Sequence, residues 1–314
     1  MMASSAGNPP HLPVLYKEII HALRPHSPGH YVDGTVGAGG HAGGILQDSS
    51  PAGRLLGLDL DPQALALAGR HLQAFSERVV LRQASYTQMK AILKDLAWPL
   101  VDGIVLDLGV SSMQIDNPER GFSFQAEGPL DMRFGPQVQR TAADLVNGLP
   151  ERELSDLIWQ YGEERFSRRI AHAIVQSRPL LTTNQLAEVI ANAVGVRHSP
   201  IHPATRSFQA LRIAVNGELE GLERTLPQAI DCLAPGGRIA VISFHSLEDR
   251  IVKQYFRRES VDCICPPEQP VCTCGHKATI TEITRKPVEA AKDEIDNNPR
   301  ARSARLRIAE KKMA

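Results

Sequence analysis

The chain has 314 residues, 42% hydrophobic and 22% charged, which suits a globular protein built as one large domain or as a core domain plus a smaller one. Its 35 basic and 35 acidic side chains cancel, so any contact with nucleic acid must come from local patches rather than bulk attraction. The first residues, MMASSAGNPPHLP, lack the charged start and apolar core of a signal peptide, no apolar run approaches the ~20 residues that span a bilayer, and five cysteines do not suggest a disulfide scaffold. A cytoplasmic protein with no membrane contact is expected.

Residues 1–10 read as a loose tail. Apolar spacing in VLYKEIIHAL (14–23) predicts a helix that stops before Pro25. YVDGTV (31–36) predicts a short buried strand, followed by a turn crowded with Gly34, Gly37, Gly39 and Gly40. A helix opens over 41–46. RLLGLDL (54–60) predicts a second strand with acids at its end, Asp59 and Asp61, and Pro62 suits the first turn of a helix over 61–72. Third and fourth strands are expected at 79–82 and 101–108. A fifth, at 238–244, is announced by the turn APGG at 234–237.

Strands alternating with helical patterns imply a parallel sheet with crossover helices. About 130 residues separate the fourth and fifth strands, far beyond an ordinary crossover, so something is inserted. Residues 141–195 read as helices almost throughout (TAADLV, ERELSDLIWQYG, FSRRIAHAIVQS, TNQLAEVIANAV), with Ser, Thr and Asp caps. Two more possible strands, 279–284 and 304–309, could pair as an antiparallel edge.

Gly37-x-Gly39-x-x-Ala42 loosely fits the dinucleotide fingerprint, and Asp59 lies twenty residues past Gly39. The same arrangement can hold S-adenosylmethionine, which has an adenosine and a sulfonium but no phosphate. Two features favour that ligand over NAD. Asp33, at the strand–turn junction, could meet an ammonium group and would repel pyrophosphate. The fourth strand also ends in an acid, Asp107, before the small residues GVSS. A tight turn with no ligand is the bland alternative.

HLPVL (11–15), DGTVGAGGH (33–41), LDLGVSS (106–112), ERGFSF (119–124), GPLDMRF (128–134), HPATRSFQALRIAVNGEL (202–219), SFHSLEDR (243–250) and NPRARSARLR (298–307) together resemble the bacterial 16S rRNA cytosine-N4 methyltransferases, small-subunit rRNA methyltransferase H. The match runs in order over nearly the whole chain. The resemblance implies an α/β fold, a Rossmann-like class I methyltransferase core (1–138 and 213–314) interrupted by an all-helical domain (139–212). It implies S-adenosyl-L-methionine as cofactor and, as partner, 16S rRNA in the small ribosomal subunit, with no DNA expected. The target would be the N4 amine of a cytosine, expected to be cytosine 1402, in the decoding region. Carried over by motif, the donor-binding positions are Gly39, Gly40, His41, Asp59, Tyr86, Asp107 and Gln114. Tyr86 stands where a Phe is expected, and either ring can lie on an adenine face.

Methyl transfer is an in-line displacement, so alignment carries most of the rate. Cytosine N4 is a poor nucleophile, and acceptor oxygens on its N–H bonds can rehybridise it. Asp107, the carbonyls of Leu108 and Gly109, and His245 at the end of the fifth strand are candidates; donor binding alone is the first reading of Asp107 and a base role the second, and His245 could simply orient its loop. Methylation at C5 would need a cysteine nucleophile near the fourth strand, and none lies there. Cys232, inside an apolar helical pattern, reads as packing. Phe122, Phe124 and Phe134, interleaved with Arg120 and Arg133, read either as an RNA-stacking surface or as a lid packed by its own aromatics. Basic clusters at Arg300, Arg302, Arg305, Arg307, Lys311 and Lys312, and at Arg250, Lys253, Arg257 and Arg258, are where phosphates would be met, if they are not solvated faces. Finally, CICPPEQPVCTCGH (263–276) places two C-x-C pairs six residues apart. Four thiols could bind zinc or form a reduced loop, and the resemblance requires no metal. A non-catalytic assembly factor that binds RNA and donor is the second functional reading.

Overall fold

The computed structural model describes residues 13–195, 201–269 and 271–313; the tail expected over 1–10 lies outside them. The chain forms two compact units, one from residues 1–108 and 221–314, the other from 109–220. The helical insertion expected over 139–212 falls within the second. No described helix is long and apolar enough to cross a membrane.

The first unit is built on an eight-stranded sheet: β1 (His30–Asp33), β2 (Arg54–Asp59), β3 (Val79–Gln83), β4 (Val101–Asp107), β5 (Leu233–Ser243), β6 (Ile280–Glu282), β7 (Val288–Glu289) and β8 (Arg305–Lys311). Its order is β3-β2-β1-β4-β5-β8-β6, with β7 also on β8. The first five strands run parallel, and β8 is antiparallel to β5, β6 and β7. The two late strands read from the sequence therefore pair as expected, with β8 also joined to the parallel set.

Residue alternation explains why the parallel strands read as continuous apolar runs. Tyr31, Leu55, Val105, Ala240 and Ile242 pack in one cluster with Ile19, Ile45 and Leu46. Their neighbours Val32, Leu56, Ile104, Leu106, Ile239 and Val241 pack in another with Leu226 and Phe256. Both faces of the sheet are thus covered. Cys232 belongs to the second cluster and is 3% exposed, as the packing reading holds.

One expected turn is placed differently. APGG does not precede β5 but lies inside it, as an irregularity where pairing jumps from Val101–Leu233 to Gly103–Arg238. Gly236, at φ 80°, turns the bulged chain there. The first helix also starts later than its apolar pattern, at Tyr16, because Leu15 takes a left-handed conformation at φ 53°.

The second unit has its own core, with Leu130, Met132, Leu145, Ile158, Ile170, Ile174, Leu186 and Phe208 among its members. The helices that supply this core run Ala142–Gly148, Glu151–Gly162, Ser167–Gln176, Thr183–Val194 and Thr205–Asn216. Thr141 and Thr182 close reciprocal capping boxes with Asp144 and Gln185. The aromatic segment resolves in favour of packing. Phe122 and Phe134 stack at 5.6 Å, and Phe124 lies on His202 and Phe208. Arg120 donates to the carbonyls of Arg133 and Phe134, while Arg133 pairs with Asp131.

Arg307 departs from its expected role as a phosphate contact. It is 3% exposed and donates through Nε and Nη2 to both Asp249 oxygens, at 2.7 and 3.2 Å. This pair ties the helix Ser246–Glu259 to β8. Arg307→Ala would leave the buried Asp249 carboxylate with only the more exposed Arg305, 3.5 Å away, so it should cost about 3 kcal/mol in denaturant unfolding. An unchanged unfolding midpoint combined with weakened RNA binding would return Arg307 to the phosphate-binding set.

Candidate active site

The parallel strands point their carboxyl ends to one rim. Strand order reverses between β1 and β4, the switch point where open α/β sheets receive ligands. Three adjacent strands there, β2, β1 and β4, end in Asp59, Asp33 and Asp107.

Asp33 is 1% exposed. Its Oδ1 accepts from the Thr35 N–H at 3.2 Å. Burial still dominates and pushes its carboxyl up to about 7, with the nearby negative charge of Asp59 adding to the rise. Asp59 accepts from the Gly37 N–H at 2.9 Å and the Asp61 N–H at 2.9 Å. Its pKa is also raised, chiefly by burial. The Asp59 carboxylate thereby holds the glycine turn at one end and the start of the helix Pro62–His71 at the other.

Asp107 is the least satisfied of the three. Its backbone N–H donates to the Thr35 hydroxyl at 2.6 Å, but its side-chain Oδ1 is buried with no hydrogen-bond partner. Burial, then the charges of Asp33 and Glu248, push its carboxyl up to about 8. Buried polar atoms are ordinarily paired, so an orphaned carboxylate oxygen at a switch point marks a place for a donor from a ligand.

The glycine turn leads into the helix Gly40–Asp48. Gly39 sits at its start with φ 87°, a conformation costly to any residue with a Cβ, and supplies no side-chain cap. The helix's first N–H groups thus remain available to an anionic group. Gly34 serves close approach instead: a Cβ there would stand 2.6 Å from Leu106 Cδ2 and 3.1 Å from Tyr86 Cβ. His41 is 4% exposed, and its Nε2 donates to the Val14 carbonyl at 3.0 Å. Burial lowers its pKa to about 4, so the ring is neutral. Its Nδ1 faces Asp107 Oδ2 at 4.0 Å. Tyr86 opens the short turn after β3, positioned by Ser85, whose hydroxyl accepts from the Thr87 N–H at 3.2 Å.

The structure therefore brings Gly39, Gly40, His41, Asp59, Tyr86 and Asp107 to one end of the first unit's sheet. Gln114 belongs to the second unit. It is 6% exposed, and its Oε1 accepts from the Ser111 N–H at 3.0 Å, closing a capping box on the helix Ser112–Asp116. His245 lies two residues beyond β5, on the same rim as Asp107, whose register partner is Ile242. Its Nδ1 accepts from the Glu248 N–H at 3.4 Å, and its Nε2 stands 3.2 Å from Glu248 Oε1. The ring caps the helix Ser246–Glu259.

Two contributors escaped the sequence reading. Thr35 links the ends of β1 and β4, and Glu248 accepts from the N–H groups of Phe244 and His245 while bearing on Asp107. Glu248 had a signal, as an acid three residues into a helix that His245 caps. Thr35 had none, since a threonine in a glycine turn is unremarkable.

Residues 8–312 match the model of the MraW methylase family. The chain belongs to that family. A protein of Dehalococcoides mccartyi described as ribosomal RNA small subunit methyltransferase H is 53% identical over 302 residues, covering 96% of this chain and 86% of the relative. Proteins of the same description from Heliobacterium mobile and Syntrophus aciditrophicus are 50% and 52% identical, each over 96% of this chain and over 98% and 97% of their own lengths. Family membership and the α/β sheet agree with the expected fold class.

The raised carboxyls have a consequence for stability. Asp33 and Asp107 keep protons in the folded chain that the unfolded chain releases near 3.8. Folded-state proton binding means that their contribution falls as pH rises, from about 4 to about 8. Asp107→Asn carries no such titration. Its melting temperature relative to the parent chain should therefore climb between pH 5 and pH 8.5 in ligand-free thermal melts, and a constant offset across that window would contradict a buried proton at Asp107.

Proposed function

We propose that this chain transfers a methyl group from S-adenosyl-L-methionine to the N4 amine of a cytosine in 16S rRNA, at position 1402 of the decoding region. The family assignment and the names of its relatives support methylation of small-subunit rRNA. The observation that carries the choice of chemistry is Asp107 Oδ1, a buried acceptor with no partner at the switch point of the sheet.

The residues present fit the donor. The uncapped start of the helix at Gly39, Gly40 and His41 suits a carboxylate, and Asp33 suits an ammonium group. Asp59 accepts from backbone N–H groups and still offers lone pairs to ribose hydroxyls, and Tyr86 offers a ring to adenine. Gln114, with Oε1 engaged by Ser111, acts as a positioning residue for its own segment. When bound, the donor supplies an electrophilic methyl on a sulfonium.

Asp107 is the proton acceptor in this reading. A neighbouring cation favours its ionised form, which can accept from the amine and draw its lone pair out of the ring. His41 stays neutral and leaves that proton with Asp107. His245 is a positioning residue: its Nδ1 accepts from the Glu248 N–H, which places the ring proton on Nε2, buried 3.2 Å from Glu248 Oε1 without a hydrogen bond, so neither nitrogen offers a free lone pair to the amine. Cys232 stands at the amino end of β5, away from the rim, and is no nucleophile for attack on C6. Nitrogen is therefore favoured over C5 as the methyl acceptor.

The test is transfer of labelled methyl from the donor to small ribosomal subunits, followed by nucleoside analysis. N4-methylcytidine should form, and Asp107→Asn should lower kcat by about 10²-fold or more. His245→Gln should cost far less. Label in 5-methylcytidine would refute the acceptor, and RNA bound but never labelled would identify a non-catalytic assembly factor.

A further inference from the structure

The segment between the helix Ser246–Glu259 and β6 contains about 20 residues with no regular structure, long for a compact domain. Its base is closed. The Thr279 N–H donates to the Glu259 carbonyl at 2.9 Å, the Ala278 N–H to Asp262 at 3.0 Å, and His276 Nε2 to the Arg258 carbonyl at 3.0 Å. Beyond that base the described residues of the segment form no apolar core, and Val261, Ile264 and Val271 are all exposed. Something other than hydrophobic burial must hold its fold.

The two C-x-C pairs meet there. The sulfurs of Cys263, Cys265, Cys272 and Cys274 all lie within 4.8 Å of one another. Cys274 Sγ is 3.6 Å from Cys272 Sγ and 4.0 Å from Cys263 Sγ. A tetrahedral zinc with Zn–S bonds of about 2.3 Å sets sulfurs ~3.8 Å apart, so these separations suit a shared ion. They are far too long for sulfur–sulfur bonds, which are about 2.05 Å. Backbone N–H groups also converge on the sulfurs, Thr273 and Cys274 on Cys265, Ile264 and His276 on Cys274. Such outer contacts orient thiolate ligands. His276 is held by the Arg258 carbonyl, which leaves the four cysteines as the ligand set.

We propose that Cys263, Cys265, Cys272 and Cys274 form a structural tetrathiolate zinc site that folds the 260–279 loop. The site takes one divalent ion of tetrahedral preference, keeps no open position and takes no part in methyl transfer. Spacing of one residue within each pair is tighter than the roughly two to four of common zinc modules. Here the two pairs lie side by side on opposing arms of one loop, and each arm contributes two ligands.

The test uses the full-length chain purified under reducing conditions without chelator. Elemental analysis should find one zinc per chain, and replacement with Co²⁺ should give the thiolate charge-transfer and d–d bands of a tetrahedral tetrathiolate. Paired substitution Cys272→Ser and Cys274→Ser should lose the zinc and open the loop to limited proteolysis between 260 and 279, as should chelation of the parent chain. The family fold elsewhere should melt unchanged. Less than a tenth of an equivalent of zinc, with no Co²⁺ bands, would overturn the site, as would two disulfides among these four cysteines found by mass in chain isolated without reductant and alkylated at lysis.

Discussion

Three aspartates share the carboxyl rim of β2, β1 and β4, and among the described residues no lysine or arginine pairs with them. Placing acids in an apolar setting is unfavourable, and their mutual repulsion adds to the cost. Backbone N–H groups offset part of it, from Thr35 to Asp33 and from Gly37 and Asp61 to Asp59. Asp107 receives no such donor on Oδ1, and its carboxyl is pushed up to about 8. The rim is therefore electrostatically incomplete, and what completes it must bring positive charge and hydrogen-bond donors.

Parallel topology makes that concentration of acids possible. With β1 flanked by β2 and β4, Asp33 is in register with Gly57 and Val105, and Asp59 and Asp107 stand two residues further along their strands, so all three acids fall at one rim. The crossover helices cover both faces with two separate apolar clusters, so the strand ends are the open part of the sheet. Glycine supplies the rest. Gly34 lets Leu106 and Tyr86 close over the first turn, and Gly39 starts the helix without a capping side chain that would compete for its N–H groups.

Much of this was legible from residues alone. The parallel strands announced themselves as short apolar runs ending in acids, and the second unit's helices by caps and three-to-four spacing, because both signals are local. What stayed hidden depended on contacts far apart in sequence. Arg307 looked like one of several surface arginines in a basic run, and only pairing with Asp249, 58 residues away, shows it buried. Phe122, Phe124 and Phe134 suited either RNA or packing until their stacking partners were visible. APGG read as a turn before a strand, and the register of β4 and β5 makes it a bulge within one. His245 was legible as a rim residue, but its hold on Glu248 was not.

The position of β8 bears on how the chain comes to be folded at all. It lies between β5 and β6, and it carries the arginine that anchors the helix Ser246–Glu259. Residues 305–311 must therefore leave the ribosome before the sheet can close around its middle. During synthesis β1 to β4 wait with one side of β4 unpaired while residues 109–220, whose contacts are largely with each other, emerge and can settle first. An exposed strand edge is prone to wrong pairing, and here the edge of β4 waits roughly 130 codons for β5.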